Sequence, residues 1–528
     1  MPLPPGIGQR AFSAALREFE GAIGKEWVFS STEDIDLYRD SYSPFWHENE
    51  EPIPSAAVAP DRVEQVQAIV KIAGKYGIPL WTISTGKNLG YGGSAPLLSG
   101  SVVVDLKRMN RILEVNEKNA YALVEPGVSY FDFYRYLQEH NLRLWMDCPD
   151  PGWGSLIGNA LDRGGGHSPM RDHFDAHCGM EVVLASGDIV RTGMGALPNS
   201  KTWQQYKYGF GPYVNGIFSQ SNFGIVTKMG FWLLPEPEAY LSGIVQVKKQ
   251  QDIVPLIDVM SHLYNSTIIE GTSSITSPIA TAPADAELTA LRARPGGPVP
   301  EALERYAASK NIPYWTTTLQ FYGPPSVIAA KWDHAKQQLS AIPEVAFRQG
   351  TSLRFPLDPK DIPPLPNKAR YAIPGLDIFV NGGGRNYGHM FLSPIIPMSG
   401  EAVLEAQRVF GDIQREMGGP GAGVNLVVGS YYPRSLLILV IFPIERDVDK
   451  NRSNRAVFRR FIKVAAEHGW GEYRTHTAFM DDVAASYSFN NRALWRLHET
   501  LKDALDPRGI LSPGKSGIWP RRMRKERA

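Results

Sequence analysis

Ser84-Thr85-Gly86-Lys87-Asn88-Leu89-Gly90-Tyr91-Gly92-Gly93 is the stretch on which the reading of this chain turns. It follows the apolar run Ile78-Pro79-Leu80-Trp81-Thr82-Ile83 and runs into Ser94-Ala95-Pro96. Glycines at 86, 90, 92 and 93 leave backbone N–H groups without side-chain cover and permit positive φ. Such a turn forms a nest of amides for an anion, most often a phosphate. The G-x-G-x-x-G spacing of a dinucleotide turn is absent, and no helical pattern begins at these glycines. A tight surface turn is the plain alternative, and Tyr91, a large amphipathic residue among glycines, speaks against it.

At 528 residues the chain exceeds one ordinary core, so two or three domains are expected. Its 43% hydrophobic and 21% charged content are those of a soluble globular protein. A net charge of +1 gives no electrostatic reason to expect nucleic acid or an anionic membrane as partner. The basic run Arg521–Arg527 reads as a short solvated tail. Two cysteines, Cys148 and Cys178, make no disulfide framework and fit a reducing compartment. The N-terminus lacks the basic and apolar regions of a signal peptide, and no run reaches the ~18 apolar residues of a membrane span. A cytoplasmic protein is expected.

Along the chain, residues 10–24 read as an amphipathic helix, 55–59 as a strand ending at Pro60, and Asp61 as the cap of a helix to about Tyr76. Strands follow at 78–83, 101–106, 112–115 and 121–128, then a helix over 131–141. The alternation implies an α+β domain that opens with a parallel β-α-β unit and continues antiparallel. Residues 147–168 read as turn-rich, and 180–191 as strand–turn–strand. Leu234-Pro235-Glu236-Pro237-Glu238 reads as a linker, because two prolines suit neither a helix nor a central strand. Strands at 241–247, 315–321, 422–429 and 435–442, with helices at 251–264, 325–339, 400–417 and 454–467, then describe a second domain. Two helical stretches, 479–487 and 492–504, precede a turn-rich tail.

Several motifs compete for a chemical role. Gly509 to Ser516 spells G-x-x-x-x-G-K-S, but a triphosphate loop must follow a buried strand and open a helix. Here a helical stretch precedes it and Pro513 stiffens it, leaving Lys515 free to touch a different phosphate. In Trp145-Met146-Asp147-Cys148-Pro149-Asp150-Pro151-Gly152-Trp153, Asp147 reads as a turn former. Asp150 reads as an acid whose burial among aromatics would raise its pKa for general acid–base work. His173 and His177 stand at i, i+4 but lack a third ligand, so no metal is expected. His389 opens an apolar strand, where a core histidine is the plain alternative. Tyr473 and Arg474 are adjacent, so both serve one ligand only where the strand bends or ends; a structural ion pair is the alternative for Arg474.

Together these segments resemble the flavoprotein oxidases of the vanillyl-alcohol oxidase type, eugenol oxidase included, which share the para-cresol-methylhydroxylase FAD fold. The resemblance is carried by residues 86–93, 149–155, 191–198, 218–228, 469–476 and 513–520, in that order. It implies an α+β, two-domain flavoprotein. The FAD-binding domain would be formed by 1–238 and the returning segment 474–528, with an α+β cap (substrate) domain at 239–473 between them. It assigns FAD to Ser84, Thr85, Gly86, Lys87, Asn88, Leu89, Gly90, Tyr91, Gly154, Ser155, Asn159, Ile225, His389, Arg474 and Lys515. The glycine turn takes the pyrophosphate and His389 the covalent link to the flavin 8α-methyl. Tyr91, Tyr473 and Arg474 match the trio that binds the substrate phenol oxygen, and Asp150 the acid beside flavin N5. The implied reaction is hydride transfer from the benzylic carbon of a para-substituted phenol through a para-quinone methide. Oxygen as acceptor would yield hydrogen peroxide. A dehydrogenase or hydroxylase passing electrons to a cytochrome, and a flavin-fold protein binding aromatics without turnover, are the alternatives. A homodimer or larger assembly is common in the family.

The chain departs from the family at Gly166-His167-Ser168-Pro169-Met170-Arg171-Asp172-His173, where the usual run is Gly-Tyr-Thr-Pro-Tyr-Gly-Asp-His. His167 and Met170 thus replace two tyrosines at the expected pocket wall. A larger or more polar para substituent, such as that of a lignin-derived fragment, becomes the expectation.

Overall fold

The computed structural model describes residues 2–277, 279, 285–294, 298–377, 388–418, 427–432 and 434–524. Residues 422–426 of the strand expected at 422–429 and the tip of the basic tail lie outside them.

The first unit is a four-stranded sheet in the order Val28–Phe29, Ala56–Val58, Val102–Asp105, Leu80–Ile83. The last three strands in that order are parallel. Ala-Ala-Val and Val-Val-Val-Asp are buried throughout, as strands covered on both faces must be. Helices Gln9–Ile23 and Val63–Tyr76 pack together and bury Phe12, Phe19, Ile69 and Val70 against the sheet. The second of these starts at Val63 with Arg62 as N-cap and no side-chain cap bond. Asp61, expected to cap it, is drawn instead to Arg62 and Arg108, both at 2.9 Å.

An antiparallel sheet follows in the order Ile112–Asn116, Tyr121–Val124, Ile225–Trp232, His177–Val183, Ile189–Arg191. His177 therefore opens a strand rather than sharing a helix face with His173. The turn-rich stretch at 147–168 contains a helix the composition did not announce, Leu156–Leu161, whose first turn is capped by Ser155 accepting from the Gly158 amide. The expected linker at 234–238 is partly structural, since Leu234–Pro235 pairs with Leu144–Trp145.

The larger antiparallel sheet runs Ala346–Arg354, Ala239–Val247, Trp315–Gly323, Ser274–Thr276, Val427–Gly429, Ser435–Pro443, His389–Leu392. Helices Ile253–Asn265, Pro325–Leu339, Gly400–Met417 and Val448–Glu467 bury Phe410, Phe458 and Phe461 in the core these strands line with Trp315, Phe321 and Phe442. The last helix begins six residues before its expected start, because Asp447 caps it through the Lys450 amide. Among the described residues no helix is long and apolar enough to cross a membrane.

The C-terminal segment returns to the first sheet. Leu80 N–H donates to Ile510 O at 2.7 Å, and Ser512 N–H to Leu80 O at 2.8 Å, at the base of the strand that feeds the glycine turn. A buried ion pair anchors it. Lys502 Nζ lies 2.8 Å from Asp506 Oδ2 and donates to the carbonyls of Asn222 and Leu511. Asp506 in turn accepts from the amides of Ile510 and Leu511. Both side chains are wholly buried, so removing one leaves an uncompensated charge. Lys502→Met is expected to lower folding stability by about 3–5 kcal/mol, read as a shift of the urea midpoint; an unchanged midpoint would show that the pair is dispensable.

Candidate active site

The glycine turn leaves the strand Leu80–Ile83 with left-handed backbone at Gly86 (φ 67°), Gly90 (84°), Gly92 (112°) and Gly93 (54°). The turn is closed by Tyr91 and Gly93 amides donating to Asn88 O, both at 3.1 Å. Among the described residues the amides of Gly86 to Gly90 donate to no protein acceptor, so they are free to take an anion. At Gly90 a Cβ would stand 3.1 Å from His389 O; there the turn meets the large sheet.

The turn lines a cleft of about 320 Å³. Its wall takes in Ser84 to Leu89 and Tyr91 from the turn, Asp150, Gly154, Ser155, Asn159 and His167 from the middle of the chain, and Ile225. His389, Tyr473, Arg474 and Lys515 complete it. Every expected site residue is therefore at the cleft except two: Gly90 sits behind the wall against His389, and half-buried Met170 lies outside it.

Tyr473 and Arg474 occupy a bend just after the isolated bridge between Glu472 and Pro394, which lets adjacent side chains face one cavity. The Arg474 guanidinium lies over the Tyr91 ring, 3.9 Å from its centroid, and donates to Asn88 Oδ1. Burial works against its charge, yet Tyr91, Tyr473 and Asp162 more than offset that and hold it protonated. It makes no salt bridge among the described residues, which removes the ion-pair alternative, and its buried Nε has no hydrogen-bond partner. Tyr91 is pushed well above the ordinary tyrosine range by burial and by Tyr473. It is held as a neutral phenol.

Asp162 is a cleft residue that motif reading passed over. Its carboxylate accepts from Lys515 Nζ and Asn88 Nδ2, each at 2.8 Å. Burial opposes its ionisation, but Lys515 and Arg474 hold it below the usual carboxylate range. No signal in the sequence marked it, because the short helix Leu156–Leu161 that it follows was itself read as turn.

The two carboxylates near Pro149 exchange their expected environments. Asp150 is about a third exposed, at 36%, so the expected burial is absent. Asp147, read as a turn former, is buried at 1% and accepts from the amides of His167 and Ser168. Burial alone would raise it; His173, with Nε2 at 3.5 Å, and the Ser168 amide lower it instead. His389 is buried between the rings of Tyr42 and Phe391, and desolvation lowers its pKa to about 4, leaving a neutral, nucleophilic imidazole. His173 contacts Tyr130 and Asn159, and no metal-holding cluster occurs among the described residues. Cys148 and Cys178 are free and buried.

Free amides on a left-handed turn, a lysine beside them and a neutral histidine across the cleft suit a large phosphate-bearing cofactor. Comparison with known proteins identifies it. Residues 54–193 match the FAD binding domain model and 316–516 the model of the C-terminal domain of FAD linked oxidases. The chain is 34% identical to the flavoprotein subunit of 4-cresol dehydrogenase (hydroxylating) from Pseudomonas putida, over 98% of this chain and 97% of that one. Its structure superposes on 4-ethylphenol oxidase from Gulosibacter chungangensis, in an isoeugenol complex, with a TM-score of 0.85 and 34% identity over 99% and 100% of the two chains. It superposes on substrate-bound p-cresol methylhydroxylase with a TM-score of 0.85 and 32% identity over 98% and 99%. The chain belongs to the FAD-linked oxidases, with the two-domain fold of the p-cresol methylhydroxylase flavoproteins. It is an FAD-dependent oxidoreductase.

Next to Tyr473 in the chain, Glu472 is buried with both carboxylate oxygens accepting from the Ser393 amide, at 2.7 and 2.8 Å. Burial raises its pKa well above the ordinary value. A group whose folded pKa is raised stays neutral in the native state while the unfolded chain ionises, so its contribution is lost as pH rises above the unfolded value near 4.5. Glu472→Gln should therefore gain stability relative to the wild type as pH rises from 5 to 7.5, by at most about 1.4 kcal/mol per unit. Parallel urea curves at every pH would show that the acid is ionised in the native protein.

Proposed function

We propose that this protein oxidises para-substituted phenols at the benzylic carbon. In this reading 1–238 and 474–528 form the FAD domain, 239–473 caps it, and FAD is bonded to His389. The observation that carries the reading is the half-buried Arg474 side chain, whose buried Nε lacks a partner, flanked by Tyr91 and Tyr473 at the cleft. Such a cation attracts a phenolate and disfavours a neutral ether. The 4-cresol, 4-ethylphenol and p-cresol named for the relatives share that hydroxyl.

FAD bound here supplies the two-electron acceptor for hydride, with dioxygen taking up the electrons as hydrogen peroxide. The residues do the rest. Arg474 stabilises the phenolate, and Tyr91 and Tyr473 donate to the same oxygen. The charge pushed into the ring lets hydride leave the benzylic carbon and makes a para-quinone methide. Asp150 handles the proton of the water or alcohol at that carbon. Lys515 and the free amides of residues 86–90 hold the pyrophosphate. A cytochrome acceptor is the second reading, favoured by the relative named as a dehydrogenase subunit; the likeness to a 4-ethylphenol oxidase favours oxygen. Fast reoxidation of the reduced protein by air in stopped flow supports the oxidase, and slow reoxidation with rapid cytochrome reduction the alternative.

For the cofactor link, acid-precipitated protein should stay yellow and His389→Ala should release its flavin. A colourless wild-type pellet would sink the covalent bond. For the clamp, 4-ethylphenol should bleach the flavin under anaerobic conditions and its methyl ether should not. Arg474→Ala should slow that bleaching about 100- to 1,000-fold at neutral pH, or about 3–4 kcal/mol. Its rate should climb toward the phenol's own pKa near ~10. Equal bleaching by phenol and ether would show the clamp reading to be wrong.

A further inference from the structure

At the other end of the cleft stands an acid–base pair built from a residue that departs from the family pattern. His167 Nε2 lies 3.6 Å from Asp150 Oδ2, and both side chains line the cleft. Neither is loosely held. Asp150 sits between Pro149 and Pro151, and the next residue, Gly152, donates to Gly375 O at 2.8 Å. The His167 amide donates to buried Asp147 Oδ1 at 3.1 Å. Its carbonyl accepts from the Thr272 amide at 3.2 Å and from Gln320 Nε2 at 3.4 Å. The imidazole stands edge-on to Tyr431, with centroids 5.6 Å apart, and is 19% exposed. The titratable groups around it are Asp150 and Tyr431 at the ring, Asp147 and His173 behind its backbone, and Tyr322 and Arg370 beside its carbonyl. Burial keeps Tyr431 protonated, so it takes no proton from the pair.

We propose that His167 is the proton partner of Asp150, drawing off the proton released when water adds to the quinone methide. The inference rests on the phenol-oxidation reading. After hydride has gone to FAD, the substrate is neutral. The water oxygen bonds to the benzylic carbon, and the ring electron pair returns to the phenol oxygen as phenolate at Arg474. The water proton passes to Asp150 and on to His167 Nε2, leaving an imidazolium that discharges from Nδ1 to solvent. A tyrosine at this position is too weak a base near neutrality to do the same. His167 acts through Asp150 and is a positioning residue rather than a catalytic one.

The test is anaerobic stopped flow with 4-methylphenol, following flavin bleaching and then decay of the quinone methide. His167→Gln should slow that decay about tenfold at pH 7; imidazole added to His167→Gly should restore the rate. Decay within twofold of wild type at that pH, or no rescue, overturns the relay. So does loss of detectable bleaching in His167→Gln, since the hydride step comes first. In protein labelled with 15N-histidine, the Nε2 resonance of His167, identified by its absence from His167→Gln, should move on Asp150→Asn. A resonance that stays put overturns the pair. If the wild type fails to bleach with any 4-alkylphenol, the phenol reading falls, and the resonance still decides whether the pair exists.

Discussion

A guanidinium held out of water is the constraint around which this cleft is assembled. Desolvating such a cation costs several kcal/mol unless the protein replaces its hydration. Here the replacement comes from pieces far apart in the chain. Tyr91 offers its ring face and Asn88 its amide oxygen from the glycine turn. Asp162 adds charge from the end of a short helix, and Gln220 Nε2 fixes the bend by donating to Tyr473 O at 2.8 Å. None of these alone accommodates the charge. The cation, the turn and the C-terminal return must therefore come together, and a cleft bordered by all three exists only in the assembled molecule.

Where local chemistry suffices, the sequence was readable before the structure. The turn needed left-handed backbone, and four glycines announced it. The bend at Tyr473 and Arg474 followed from the rule that strand neighbours face apart. The long helices of the large domain carried their period openly, as in Gly400–Met417 and Pro325–Leu339. What escaped depended on distant partners. Asp147 and Asp150 share one proline-rich turn, and their burial is decided by the amides of His167 and Ser168 and by His173. Asp61 looked like a cap until Arg108, from another element, claimed it. Ala346–Arg354 escaped because it is an edge strand with little alternation, paired along one side with Ala239–Val247.

The division of labour between segments explains why the first sheet and the large sheet must touch. The turn and the C-terminal return supply the cleft residues Ser84 to Leu89 and Lys515. His389 belongs to a strand of the large sheet. The two meet at Gly90, whose left-handed backbone and missing Cβ bring the turn against the His389 carbonyl. A side chain there would be strained in φ and would press on that carbonyl and on the Phe391 ring, 3.2 Å away. Gly90 thus fixes the spacing between the anion nest and the nucleophilic histidine, though it lines no part of the cleft itself.

The charges in the cleft are also sorted by position. The cation side, Arg474 and Lys515, is balanced by a half-buried carboxylate, Asp162, which contacts Lys515 directly and lies near Arg474 without a salt bridge to it. That leaves Arg474 with unspent positive potential and an unpartnered Nε, the condition for binding an anion that forms only when a substrate loses its proton. On the other side, Asp150 has its carboxylate about a third exposed, with His167 beside it. In the proposed reaction a phenolate would form at the Arg474 end of an aromatic ring and water would react at the Asp150 end, so one cleft must serve both. Because electron density would pass through the ring itself, the protein has only to hold the two ends in place.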